Sequence, residues 1–128
     1  MPLRSDSSSS PLRFFITEQK SILVVTYIGN LMKESLGVLE ESFHQIIERD
    51  AKVVILNFRD VGSDVDRTLF ALLTRMQKSI RDKSAILRLT SMHPELRKTL
   101  EERGIVRSEE QVENLAHALT SLRGDNAA

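Results

Sequence analysis

Several residue types and motifs are scarce in this 128-residue chain, and each absence removes a class of function. Cysteine is missing, which excludes disulfide scaffolds, thiol nucleophiles and cysteine metal sites, and gives no reason to expect an oxidising compartment. The 18 basic and 18 acidic residues balance, so no net charge draws the chain to nucleic acid. The apolar runs are short, and the run at residues 22–25 is far below the length of a membrane span. We expect a soluble, cytoplasmic protein that neither inserts into a membrane nor binds nucleic acid directly.

Motifs for cofactor-dependent or nucleophilic catalysis are also missing. The five glycines are scattered and form no phosphate-binding loop, and no G-x-S-x-G elbow is present. His44, His93 and His117 fall on separate segments without metal-ligand spacing, and His93 before Pro94 is typical of a helix entry. We therefore expect no catalytic residue, no metal site and no cofactor. The acidic loop Asp60–Asp66 leaves open a small α/β enzyme as a second alternative function.

The two ends of the chain differ in composition from its middle. Residues 1–11 are rich in serine and poor in apolar side chains, so burial cannot offset the entropy of ordering them, and we expect a disordered tail. Residues 124–128 predict a frayed C-terminus. Residues 12–123 have the length and composition of one domain.

Between the two ends, β-branched and apolar segments predict four strands. Residues 21–28, 52–58 and 84–90 are continuous enough to be buried strands. Residues 12–17 predict a shorter edge strand, joined to the next strand by a hairpin because only three residues separate them. Residues 59–65 are polar and predict a loop.

Apolar residues at three- and four-residue spacing predict four helices. Pro94 and Gly104 are placed to begin and end the third helix, and Ser108 with Gln111 is a capping box that would open the fourth. The stripe of the first helix is Leu36, Leu39, Phe43, Ile46 and Ile47, that of the second is Leu69, Leu72, Leu73, Met76 and Ile80, and that of the fourth is Val112, Leu115, Leu119 and Leu122.

The order of these elements predicts an α/β fold. Strands connected through helices must run parallel, because a hairpin cannot join them, and each crossover should be right-handed. We expect a mixed, mostly parallel sheet of about four strands packed with about four helices. Periodicity does not show whether the helices lie on one face of the sheet or on both.

Five short stretches, in this order and spacing, resemble the STAS domain, the fold of bacterial anti-sigma factor antagonists. They are a strand ending in glycine, a strand similar to L-D-L-S-G-V, the start of the next helix, a strand ending before a proline, and a short helix closing on Gly-Leu or Gly-Ile. The resemblance covers about residues 12–122. The corresponding residues are Tyr27-Ile28-Gly29, Ile55-Leu56-Asn57-Phe58-Arg59-Asp60-Val61, Leu69-Phe70-Ala71-Leu72-Leu73, His93-Pro94-Glu95-Leu96 and Arg103-Gly104-Ile105.

The resemblance implies a regulatory position where the family carries Asp-Ser-Ser-Gly. Without a gap, these four residues fall on Val65, Asp66, Arg67 and Thr68, which puts Arg67 where the family's kinase phosphorylates a serine. One inserted loop residue would instead make Thr68 the phosphoacceptor. We favour the ungapped alignment because it keeps the phase of the second helix. Asp66 is then either a helix N-cap or a fixed negative charge in place of a phosphate.

The resemblance implies a non-enzymatic protein-binding module of the partner-switching type with an altered or absent phospho-switch. Its partner would be an anti-sigma factor or serine kinase, docked on Ser63, Asp64, Asp66, Arg67 and Thr68. A STAS subunit of a membrane or lipid transport assembly is the first alternative. The second helix also has a basic face, which is typical of a solvated helix or of a surface for an acidic partner. A homo-oligomer stays open.

Overall fold

The computed structural model describes residues 11–120, so the disordered tail predicted up to residue 10, the frayed C-terminus predicted for residues 124–128, and Leu122 lie outside the described residues. Single 3-10 turns lie at Lys33–Ser35, Arg67–Leu69 and Ser108–Glu110. None of the helices among residues 11–120 is long and apolar enough to cross a bilayer. The elements are β1 (Arg13–Gln19), β2 (Ile22–Leu31), α1 (Leu36–Glu48), β3 (Val53–Val65), α2 (Phe70–Asp82), β4 (Ile86–Thr90), α3 (Pro94–Glu102), β5 (Gln111–Val112) and α4 (115–120).

The strands form one mixed sheet in the order β1-β2-β3-β4-β5. β1 and β2 are antiparallel, and the other neighbours are parallel, which confirms the predicted hairpin and the mostly parallel sheet. Lys20 and Ser21, at the turn of the hairpin, both have positive φ angles, of 53° and 68°. Two successive residues of this kind match the right-handed twist of the strands that they connect.

The helices lie on both faces of the sheet. Because side chains alternate along a strand, Leu23, Val25 and Tyr27 of β2 face α1, α2 and α3 and belong to the main core. Ile22 and Val24 face the other way, towards α4. The predicted stripe of the second helix is confirmed, since all five of its apolar residues are buried in the main core.

The predicted loop at residues 59–65 was wrong, because this segment is the second half of β3, a strand of 13 residues. It pairs with an extension of β2, with Asp60 opposite Ile28 and Val65 opposite Leu31. The pairing shifts register on both sides of Gly29. Only glycine fits here, because its φ is 117° and because a Cβ atom would collide with the carbonyl oxygen of Pro11. The extension runs past the carboxyl end of β4, where, within residues 11–120, β3 has no neighbouring strand on that side. Its residues are therefore more exposed and more polar than those of a buried strand, which makes its sequence typical of a loop.

The predicted start of the last helix at Ser108 was also wrong, because Ser108–Glu110 is a 3-10 turn and the next two residues form a fifth strand. Val112 of β5 pairs with Thr90 of β4, a contact that a helix starting at Ser108 would remove. The helix begins at residue 115 instead, where the Asn114 side chain accepts a hydrogen bond of 2.8 Å from the backbone N–H of His117.

Candidate functional site

The predicted partner-binding residues lie at the junction of β3 and α2, at the carboxyl end of the parallel pair β2 and β3. Ser63 and Asp64 belong to the end of β3, whereas Arg67 and Thr68 belong to the 3-10 turn that leads into α2. Asp66 lies between them, and its backbone N–H donates a hydrogen bond of 2.8 Å to the carbonyl oxygen of Leu31 in β2. This bond ties the beginning of α2 to the end of the extended strand pair, so the position of Asp66 is fixed by the sheet.

Asp66 is the N-cap of the turn that opens α2. Its Oδ1 atom accepts hydrogen bonds from the Thr68 hydroxyl at 2.6 Å and from the Thr68 backbone N–H at 2.9 Å. These two bonds, the hydroxyl first, hold the pKa of Asp66 below its usual value, and the charges of Lys33 and Arg67 act in the same direction. Asp66 is therefore a carboxylate at neutral pH, and both interpretations of it, cap and fixed charge, agree with this geometry.

Arg67 and Thr68 are exposed, but their side chains differ in what they can do. The Thr68 hydroxyl donates a hydrogen bond to Asp66, which leaves the lone pairs of the Thr68 hydroxyl oxygen directed to solvent. Arg67 has no hydroxyl, so it accepts no phosphate of the kind that a serine kinase transfers.

A groove with a volume of about 1170 Å³, open to solvent, lies beside these residues and is lined by the paired ends of β2 and β3 and by the turn that follows β2. Ser63, Asp64 and Asp66 line it, whereas Arg67 and Thr68 do not. A Cβ atom at Gly62 would lie 2.3 Å from Oδ1 of Asn30, so this glycine lets the Asn30 side chain lie against β3. Sequence analysis missed the groove, because it depends on the pairing of two segments that resemble loops.

Sequence analysis also missed Arg103, which the fold brings to the start of α2 from the end of α3. Its guanidinium carbon lies 4.8 Å from the centroid of the half-buried Phe70 ring. This contact places the positive charge of Arg103 at Phe70, the first residue of α2. The Arg103-Gly104 pair in the sequence indicates a helix end, but nothing in it indicates the contact with α2.

The basic face of α2 is largely occupied by contacts within the protein. Arg81 forms two hydrogen bonds to Glu110, at 2.6 and 2.9 Å, and Lys78 pairs with Asp82 at 3.3 Å. The Lys83 ammonium group donates to the carbonyl oxygen of Ile47 at 2.8 Å, at the end of α1. This face is therefore better explained as a set of structural ties than as a surface for an acidic partner.

The other candidate ligands are dispersed or have structural contacts. His93 is confirmed as a helix-entry residue, because its Nδ1 atom accepts a hydrogen bond from the backbone N–H of Glu95 at the start of α3. Asp60 and Asp64 are separated along β3. Among residues 11–120, no three His, Asp or Glu side chains are grouped so that they could hold a metal ion.

Comparison with solved structures gives the same architecture at low sequence identity. An anti-sigma factor antagonist from Mycobacterium paratuberculosis superimposes with a TM-score of 0.75 and 14% identity, covering 94% of this chain and 99% of that one. RsbS from Moorella thermoacetica gives 0.73 and 20%, covering 91% and 99%. A sulfate transporter family protein from Wolinella succinogenes gives 0.70 and 22%, covering 84% and 88%.

No curated protein matches the sequence. A family model described as STAS domain does match, over residues 14–118, from the second residue of β1 to the buried Ala118 of α4. That span includes all of β2, β3, β4 and β5 and the whole β3–α2 junction. The chain therefore belongs to the STAS domain family.

Proposed function

We propose that this protein is a non-enzymatic regulatory module that binds another protein, in the manner of an anti-sigma factor antagonist, and that its phospho-switch is replaced by a fixed charge. The docking surface would be the β3–α2 junction, which we define as Ser63, Asp64, Asp66, Arg67 and Thr68. The partner would be an anti-sigma factor or a related serine kinase. The membership in the STAS family and the resemblance in fold to two regulatory proteins support this proposal.

The observation that carries the proposal is the pair of hydrogen bonds from Thr68 to Asp66. In the ungapped alignment Arg67 replaces the phosphorylated serine of the family, and a permanent carboxylate stands one residue before it. Because both Thr68 donors stabilise the charged form of Asp66, the negative charge is present without any kinase. A phosphoserine would carry more charge, about −1.5 to −2, so Asp66 imitates it only in part.

The test compares the charge at residue 66 with the hydroxyl at residue 68. The partner is first identified by affinity capture and mass spectrometry, and each variant is then titrated against it after incubation with its kinase and ATP. Asp66→Ser keeps a good N-cap and removes the charge, so we expect a several-fold change in Kd. Thr68→Val keeps the shape and should change Kd little.

Thr74→Val is the matched control for loss of a threonine hydroxyl, because Thr74 is exposed on α2 and donates only to the backbone of Phe70. Incorporation of phosphate at Thr68, with binding lost only where that hydroxyl is present, would contradict the fixed-charge proposal. It would support the gapped alignment and an intact phospho-switch.

A transport assembly is the second candidate, favoured by the resemblance to the Wolinella succinogenes protein. The same affinity capture separates the two proposals. Recovery of a membrane transporter from detergent-solubilised cells, with no kinase or anti-sigma factor, would replace partner switching with a transport role.

A further inference from the structure

The two edges of the sheet differ in length. At one edge β5 has two residues, whereas at the other edge β1 has seven, from Arg13 to Gln19. β1 pairs with β2 at every position without a bulge, and within residues 11–120 β2 is its sole neighbour in the sheet. The outer side of β1 thus presents a regular row of backbone N–H and C=O groups, which is a template for another strand.

The side chains of β1 do little to protect this edge. Phe14 and Ile16 pack against the main core, whereas Phe15 points to the opposite face and is 54% exposed, the most exposed of the large hydrophobic residues in the described part of the chain. Natural edge strands are usually blunted by proline, a bulge or a charge in the middle of the strand. Here the charged residues Arg13 and Glu18 lie near the two ends of β1, and proline is absent from it.

We propose that β1 pairs with β1 of a second copy of this chain, antiparallel about a two-fold axis, to form one continuous ten-stranded sheet across a homodimer. An axis perpendicular to the sheet keeps equal-numbered residues on one face, and directly opposite residues then differ by an even number of positions. Centred on Phe15, the pairing places the two Phe15 rings opposite one another. Phe14 of each copy lies opposite Ile16 of the other, and Arg13 lies opposite Thr17.

A second copy fits this edge better than other strands for two reasons. An extended edge requires a partner edge of similar length, and a second copy supplies one by identity. The pattern of β1 is also self-complementary in the antiparallel arrangement, because the exposed Phe15 meets its own copy and Arg13 meets the uncharged Thr17, whereas an in-register parallel arrangement would place Arg13 against Arg13. Glu18 projects from the other face of the sheet, where it pairs with Arg49 of its own chain at 3.2 Å. Cross-strand aromatic pairs stabilise sheets, and like charges directly opposite each other destabilise them.

The absence of cysteine makes a direct test of the register available. Phe15→Cys gives the protein a single thiol at the proposed axis, where the two Cβ atoms would lie within reach of a disulfide. Thr17→Cys is the matched control, because residue 17 is also exposed and on the same face. In the proposed register the two copies of residue 17 are four positions apart along the strands, roughly 13 Å, which a disulfide cannot span.

Under a mild oxidant we expect the Phe15→Cys protein to form a covalent dimer at least tenfold faster than the Thr17→Cys protein. Equal rates, or no cross-linked product from either protein, would overturn the proposed register. The measurement uses the full chain and needs no knowledge of the physiological partner.

Sedimentation equilibrium of the unsubstituted chain tests the dimer itself, with an expected mass of twice 14.5 kDa. Phe15→Lys places like charges opposite each other and should raise the dimer dissociation constant tenfold or more, with an unchanged circular dichroism spectrum. Gln19→Lys adds the same charge outside the proposed pairs and should leave the constant nearly unchanged. A chain that is monomeric at all concentrations, or that dimerises only after residues 1–10 are deleted, would overturn the proposal, the latter by making those residues the occupant of the edge.

Discussion

Among residues 11–120, α1, α2 and α3 enclose 22 buried hydrophobic residues on one face of the sheet, whereas on the other face α4 covers a cluster of three, Val53, Ile55 and Ala118. The same strands supply both clusters through alternate side chains. In the described part of the chain each face also contains one buried hydrogen bond between side chains, from Tyr27 to Ser42 at 2.8 Å and from Thr90 to Asn57 at 3.1 Å. The comparison separates hydrophobic burial, which differs greatly, from polar pairing, which is similar.

The difference between the faces indicates where the free energy of folding arises. Burial of apolar surface stabilises by roughly 25 cal/mol per Å², so the face with three helices should contribute most of the stability. The face covered by α4 has fewer buried side chains, and its half-buried members Ile22, Val24, Val112, Leu115 and Leu119 surround the small cluster. Substitutions on the two faces should therefore differ in cost.

The largest effect is expected for Leu72→Ala in α2, on the face with three helices. Leu72 is 3% exposed, so truncation removes buried apolar surface and leaves a cavity, and the free energy of unfolding should fall by ~2–5 kcal/mol. Urea unfolding followed by circular dichroism measures this change.

Leu36→Ala is the matched control, because Leu36 is 39% exposed at the beginning of α1 despite its place in the predicted stripe. Its cost should stay under ~1 kcal/mol. A loss below that value for Leu72→Ala as well would mean that α2 does not carry the core.

A smaller effect is expected for Ala118→Leu in α4, on the opposite face. Ala118 is fully buried against Val53 and Ile55, so three added carbon atoms must displace α4 or the strands beneath it. Overpacking of this kind costs ~1–3 kcal/mol. Ala116→Leu adds the same atoms at an exposed position of α4 and should be nearly neutral in the same urea titration. Equal effects for the two variants would mean that α4 is not seated on the sheet.

The sequence predicts those parts of the fold that depend on local periodicity. The α2 stripe is long and regular, and Asp66 stands three residues before its first member, so both the helix and the capped turn that opens it can be predicted from spacing alone. The extension of β3 is not, because Arg59 and Asp60 have side chains typical of loops and form a strand only through pairing with β2. β5 is too short for any pattern, and its position depends on contacts between distant residues, such as Arg81 with Glu110. For the same reason the sequence does not predict that Arg103 lies near the candidate site, because its contact with Phe70 joins α3 to α2.

The smallest effect on stability at neutral pH is expected for the two buried polar pairs. Tyr27→Phe removes a hydroxyl whose partner Ser42 keeps a second hydrogen bond to the carbonyl oxygen of Leu39, so the cost should be about 1 kcal/mol. Thr90→Val should cost about the same, because Asn57 keeps its contact with the backbone N–H of Arg59. Urea titration of both variants would show whether the two faces are as alike in polar pairing as the distances indicate. A cost that differs by more than ~1 kcal/mol would contradict this likeness.

Alkaline pH distinguishes these two variants. Burial raises the pKa of Tyr27 well above its usual value near 10, and its hydrogen bond to Ser42 opposes this only in part. The unfolded chain therefore loses the phenolic proton first, so the stability that Tyr27 contributes is complete below about pH 10 and falls as the pH rises above it. Thr90→Val should retain this decline, and Tyr27→Phe should lessen it.

Because Tyr27 is the only tyrosine and tryptophan is absent, tyrosinate absorbance reports on this one group. After a jump to about pH 11, the absorbance should rise only as fast as the circular dichroism signal is lost; an immediate rise with the fold intact would show that water reaches the hydroxyl.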